Sequence, residues 1–187
     1  MTAATLDETR FGSITGAREI TFHRILPGPI ERVWAFLVEG EKRKLWLGAG
    51  EIEPRVGGDV TIIFDNGSLT PAGETIPERF QKHAVEIESH GRVLRWEPPH
   101  GLTFSWWGDP GDSSEVAIDL AEAADGKVRL TLVHRLLKDR DEARSVSGGW
   151  HAHLDVLEAV LENRSHERFW SVIEEVEPVY DGRLPSA

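Results

Sequence analysis

Apolar positions along this chain fall into two periods. Ile20 and Phe22 share one face of a segment over 19–26, read as the first strand. Pro27-Gly28-Pro29 breaks it, and Pro29 sits where a first helical turn accepts proline. Ile30, Val33, Trp34 and Leu37 then recur at helical spacing, Gly40 stops the stripe, and residues 42–47 give a second short helical segment carrying Trp46. After it the period returns to two. Strands are predicted over 51–55, then through Val60, Ile62 and Phe64, over 83–88 with Val85 and Ile87 on one face, and over 93–97. Further strands follow through Leu102, Phe104 and Trp106, through Val116, Ile118 and Leu120, and through Val128, Leu130, Leu132 and His134. His90-Gly91 reads as a turn, and Asp125-Gly126 joins 115–122 to 128–136 as a hairpin. Residues 66–80, with Pro71, Gly73 and Pro77, form a long irregular loop, the kind that serves as a lid or is simply mobile.

The last long element is a helix opening at Gly148-Gly149-Trp150. Trp150, Leu154, Leu157 and Leu161 make its inner stripe, flanked by His153 and Val160. His151, Asp155, Glu158 and Glu162 project to its wet side. Residues 167–180 carry a further stripe of Phe169, Ile173, Val176 and Tyr180, suited to packing on the domain or to contact with a second copy in a homodimer. The chain thus divides into a flexible N-terminal arm (1–16), one α+β domain (17–163), and a C-terminal helical extension ending in a loose tail from Asp181 (164–187). A curved antiparallel sheet wrapped on one long helix leaves a hollow between them, and function is expected there.

Composition narrows the partners. Net charge is −11, and the longest basic run is Lys42-Arg43-Lys44, so phosphate backbones and anionic membranes are disfavoured and no nucleic-acid partner is expected. There is no cysteine, which removes disulfides and thiolate chemistry. The first thirteen residues carry Asp7, Glu8 and Arg10 and no apolar core, so no signal peptide is read there, and no run approaches the ~18 apolar residues of a membrane span. A cytoplasmic protein without membrane insertion is expected.

Several residues in order resemble a known family. Pro29-x-x-x-Val33-Trp34, Trp46, Arg55-Val56-Gly57-Gly58, Gly91-Arg92-Val93-Leu94, Pro98-Pro99-x-x-Leu102 and Gly149-Trp150 resemble the heat-shock protein 90 ATPase activator homologues, over roughly 19–163. That family belongs with the START, polyketide-cyclase and plant Bet v proteins (the SRPBCC superfamily). The resemblance implies a helix-grip fold, with two short helices after the first strand. It also implies a choice among carriers, aromatase/cyclases, receptors and chaperone activators, the last with a role in stress response.

Candidate chemistry is sparse. Seven tryptophans are many for this length, and rigid rings can wall a cavity. Trp34 lies on a packing stripe; for Trp106 and Trp150 core filling and cavity lining fit equally. The Trp106-Trp107 doublet puts one ring on each face of its strand. His134 and His153 fall on elements the fold brings face to face. Each alone reads as a buried histidine with a backbone or water partner, and together they suggest a polar anchor. His151 and His153 point apart on a helix, the other histidines show no ligand spacing, and neither a metal site nor a cofactor is expected. No carboxylate pair, phosphate loop or nucleophile elbow stands out. The leading reading is therefore non-catalytic. A small hydrophobic or aromatic molecule is bound between sheet and helix by Phe64, Phe104, Trp106, His134, Trp150, His153 and Leu157. The alternatives are a cyclase or dehydratase using His134 or His153, and a chaperone-associated module.

Overall fold

The structure is a computed structural model describing residues 7–185 except Ala17. A seven-stranded antiparallel sheet runs in the order β1-β2-β7-β6-β5-β4-β3. Its strands are β1 (Ser13–Gly16), β2 (Glu19–Pro27), β3 (Asp59–Phe64), β4 (Ile87–Glu97), β5 (Gly101–Trp106), β6 (Ser114–Glu122) and β7 (Lys127–Arg135). Helices α1 (Ile30–Val38) and α2 (Gly40–Arg43) follow β2, and α3 (Arg140–Leu161) and α4 (Trp170–Arg183) close the chain. This is the α+β helix-grip fold expected from the sequence.

Alternation explains the sheet. In β7, Val128, Leu130, Leu132 and His134 are buried while their neighbours face outward. The β6–β7 hairpin pairs Glu122 with Val128, and Asp125 and Gly126 both take positive φ (57° and 68°), as a tight hairpin turn requires. On the helix side, α1 buries Ile30, Val33, Trp34 and Leu37. The connection from α1 through α2 is held by Arg43. It is 1% exposed and donates to the carbonyls of Leu37, Val38, Ala49 and Gly50 at 2.7–3.3 Å.

The strand expected over 83–88 begins only at Ile87, with Val85 exposed, and several other expectations change. First, α3 begins at Arg140, not at Gly148. Asp139 is its N-cap, accepting from the Glu142 backbone N–H (2.9 Å), while Glu142 reaches back to the Lys138 N–H (2.5 Å). Second, His90-Gly91 is no turn. β4 runs straight through it, because a side chain at Gly91 would meet the Ser105 carbonyl oxygen at 2.1 Å, and glycine lets the two strands approach. Third, 51–55 forms no strand; Ile52 makes only a single bridge to Val60 before Pro54 ends the run.

Fourth, neither end of the described chain is loose. Phe11 is buried against His151 and Tyr180 (ring centroids 5.0 and 5.2 Å), and the Gly12 N–H donates to the Tyr180 hydroxyl (2.9 Å). Arg10 pairs with Asp155 (2.8 Å) and Glu158 (2.6 Å) on α3. α4 runs past Asp181 to Arg183, and Leu184 is buried. Residues 1–6 of the arm expected over 1–16, and the last two residues, 186 and 187, lie outside the described residues. The stripe Ile173, Val176 and Tyr180 is covered by this chain's own α3 and N-terminal segment, so that face is not open to a second copy. His151, expected on the wet side of α3, is 4% exposed beneath that cover.

The loop over 66–80 is likewise tied down. Glu74 accepts from the N–H groups of Phe169, Trp170 and Ser171 (2.9–3.2 Å) and from the Ser171 hydroxyl (2.7 Å), capping α4 from outside the helix. Those donors hold its carboxyl below the usual range, against the desolvation that burial brings. The Trp170 indole N–H donates to the Thr70 hydroxyl (2.8 Å), and Phe80 stacks on Trp170 (5.4 Å).

Candidate functional site

The gap between the C-terminal half of α3 and the sheet is filled by side chains. Leu154, Leu157 and Leu161 are at most 1% exposed there. The space opens at the other end of the grip, as a cleft of about 350 Å³ between the first half of α3 and the ends of β3, β4 and β5. Trp106 and Trp150 form its back wall, with ring centroids 5.3 Å apart. Phe64, the last residue of β3, stands edge-on to Trp106 at 5.5 Å. Leu47 and Ile87 add aliphatic surface, and Glu142, Ser145, Val146, Gly149 and His153 line the α3 side. A recess of about 120 Å³ shares Asn66, His83, Ser145, Gly149 and His153 with the cleft and runs on beneath α4 to Phe169 and Trp170.

Of the seven residues singled out in the sequence, Phe64, Trp106, Trp150 and His153 line this cleft. Phe104, His134 and Leu157 do not; they pack behind it in the core. The two histidines accordingly part company. The Trp150 indole N–H donates to His134 Nδ1 (3.0 Å), so Nδ1 accepts and carries no proton. Nε2 then carries the proton and donates to the Ser114 hydroxyl (2.9 Å). Both nitrogens are engaged, and burial pushes the His134 pKa down to about 3. His134 is thus a neutral post that fixes the Trp150 ring.

His153 is arranged the other way round. Its Nδ1 lies 2.7 Å from the Trp46 carbonyl oxygen, which can only accept, so Nδ1 bears the proton. Nε2 is left with a lone pair, and no donor among the described residues reaches it. Burial lowers the His153 pKa to about 4, with the Trp46 carbonyl opposing the shift. At neutral pH the ring is an uncharged acceptor.

Trp107 is the cleft residue the sequence placed least well. Instead of continuing the strand with its ring on the far face, its backbone turns to φ 62°, unusual for a bulky side chain. Its ring lies 48% exposed at the cleft mouth, stacked on Phe64 (5.6 Å, interplanar 17°). No periodicity announces such a bend; the only sequence sign is the following Gly108. Among the described residues no three His, Asp or Glu side chains converge as metal ligands. No helix among them is long and apolar enough to cross a membrane.

The family described as Activator of Hsp90 ATPase homolog 1-like protein matches residues 27–162, from the end of β2 through α3. The chain belongs to this family. The family's span holds the sheet from β3 to β7 and every residue that lines the cleft. Beyond it lie β1, most of β2, and α4, which packs on the outer face of α3.

Solved structures agree on the fold. A protein from Bordetella parapertussis, solved in solution, is 40% identical over 94% of this chain and 91% of its own, with a TM-score of 0.78. CalU16 from Micromonospora echinospora is 21% identical over 90% of this chain and 89% of its own (TM-score 0.66). A conserved protein of unknown function from Enterococcus faecalis is 17% identical over 94% and 91% (TM-score 0.65). The last two speak for the fold alone. No curated protein matches the chain.

Proposed function

We propose that this chain binds a small hydrophobic or aromatic molecule in the cleft between α3 and the ends of β3 and β5. The observation that carries this reading is an open apolar space of about 350 Å³ walled by aromatic rings. The volume falls within the roughly 300–1,000 Å³ of small-molecule sites, and apolar walls with few polar groups are their usual make-up. The cytoplasmic location expected from the sequence belongs to the same reading.

Gly149 provides the test. It lies inside α3 on the cleft wall, and a Cβ there would meet no atom within 4 Å. Gly149→Leu should leave the fold intact and fill the cleft. Native mass spectrometry of protein purified from its own host should show added ligand mass on the wild type and none on Gly149→Leu. Equal retention by both would place the ligand elsewhere.

Family membership supports a second reading, a chaperone-associated module with a place in stress response. It predicts that the purified chain raises the ATPase rate of Hsp90 at micromolar concentration. No change in that rate would end it. A cyclase or dehydratase finds less support, since His134 has both nitrogens engaged and His153, with its pKa near 4, is a poor base at neutral pH.

A further inference from the structure

Resting on the binding reading above, we propose that the cleft selects uncharged, flat molecules that donate one hydrogen bond, from a hydroxyl or an N–H, to His153 Nε2. Their ring is expected to lie against Trp107. Three independent features support this.

The first is the fixed tautomer of His153. Because Nδ1–H is committed to the Trp46 carbonyl (2.7 Å), Nε2 can only accept. A ligand whose polar atom is a bare carbonyl or ether oxygen offers it nothing. An acceptor that a ligand covers without supplying a donor costs free energy, so a ligand lacking the donor is rejected as well as less attracted.

The second is charge. No Lys or Arg lines the cleft or its recess, and the acidic side chains there are Glu142 and, in the recess, Glu177. Glu142 is engaged at the start of α3 and Glu177 pairs with Arg79 (2.7 Å). His83 at the rim is held toward its neutral form, first by burial and next by Lys82. A carboxylate entering this space would lose its water without gaining a cation.

The third is Trp107. A large side chain in the left-handed region is a strained arrangement, and such outliers gather where a side chain must be aimed. Here the bend is pinned by the Ser105 hydroxyl donating to the Gly108 carbonyl (2.5 Å). It sets a second indole beside Trp106 (6.4 Å, 84° between planes), half exposed at the mouth. Such a platform suits a flat partner.

The test is isothermal titration of the full chain at neutral pH with three naphthalenes substituted at the same ring position: naphthol, methoxynaphthalene and naphthoate. Naphthol should bind about tenfold more tightly than methoxynaphthalene, the worth of one well-made hydrogen bond. Naphthoate should bind more weakly than either. In His153→Asn the side-chain amide can still donate to the Trp46 carbonyl, but its acceptor Oδ1 falls short of the position of Nε2. There the preference for naphthol over its methyl ether should shrink to about twofold or less. Trp107→Ala should weaken both neutral probes alike, by about fivefold for one stacking contact.

The outcomes separate cleanly. If the neutral probes bind equally to the wild type and Gly149→Leu blocks both, the cleft binds ligands but donor selection is overturned. Naphthoate binding as tightly as naphthol overturns the requirement for an uncharged ligand. If none of the probes binds, or if Gly149→Leu leaves binding unchanged, the binding reading itself fails.

Discussion

Replacing Trp150 by phenylalanine tests the post-and-ring arrangement at the back of the cleft. Trp150 is 3% exposed, and its indole N–H is the donor to His134 Nδ1 (3.0 Å). His134 is completely buried, so the variant leaves Nδ1 without a donor in a site that excludes water. Leaving a buried acceptor unsatisfied costs about 1–3 kcal/mol. The lost half of the indole adds about 1–2 kcal/mol, because the contact with Trp106 at 5.3 Å cannot be remade by a smaller ring. Together the cost is about 3 kcal/mol. For a chain of this size that lowers the melting temperature by about 6–12 °C. Urea unfolding followed by circular dichroism measures the loss, and a double-mutant cycle with His134→Leu isolates the pair. The coupling should be about 1–2 kcal/mol. A loss below about 1 kcal/mol, or additive single variants, would show that the His134–Trp150 bond contributes little and that the ring is held by packing alone.

Three further outcomes follow from the same geometry. Glu74→Ala removes the acceptor for four donors at the start of α4 and should cost about 2 kcal/mol; amide exchange should rise together in 66–80 and 169–173, and unchanged protection in either segment would contradict the tie. His151 and His153 have pKa values lowered from 6.5 to about 4, chiefly by burial, and His134 from 6.5 to about 3. The unfolded chain therefore takes up protons first: stability is complete above about pH 6.5 and falls as pH drops toward 4, by roughly 3 kcal/mol for His153 alone. A urea midpoint that stays level between pH 7 and about 5 would refute this. Gly149→Ala should stabilise the protein by about 0.5–1 kcal/mol through helix propensity, whereas Gly148→Ala should destabilise it, because its Cβ would meet Glu177 Cγ at 2.9 Å and Ile173 Cγ2 at 3.2 Å; melting temperatures of the pair decide, and a shift of the same sign in both would count against this packing of α4 on α3.

Much of the architecture was legible because one face of each element is buried. The β6–β7 hairpin could be read from alternation plus Asp125-Gly126, and α1 from a four-residue stripe, because in both the local signal and the tertiary demand coincide. The errors came where a glycine serves tertiary packing and not a turn. Gly91 permits the close approach of Ser105, yet in sequence His90-Gly91 looks like punctuation. His151 looked wet because the residues that cover it, Phe11 and Tyr180, lie about 140 positions upstream and 29 downstream, and no local period reveals them. The cleft itself was only half legible. Inward phase identifies Phe64, Trp106 and Trp150, but it cannot tell a lining side chain from the layer behind, where Phe104, His134 and Leu157 lie. Trp107 was out of reach, since its position depends on a backbone bend and not on phase.

The adjacent glycines of α3 show why the opening sits at one end of the grip. A glycine inside a helix costs about 1 kcal/mol relative to alanine, so two in succession invite reading as a helix start. The capping pattern Asp139-x-x-Glu142 is the stronger signal, and it places the start at Arg140, eight residues before Gly148. Within the helix the two glycines face different neighbours. Gly148 admits α4, so that Ile173 and Glu177 close against the outer face of α3. Gly149 faces inward over empty space, where any larger residue would occupy the cleft. Farther along, the same helix presents Leu154, Leu157 and Leu161, and the space closes. The cleft thus opens where Gly149 brings no side chain to the α3 wall. A substitution at Gly149 should therefore tune the volume of the cleft without moving the sheet.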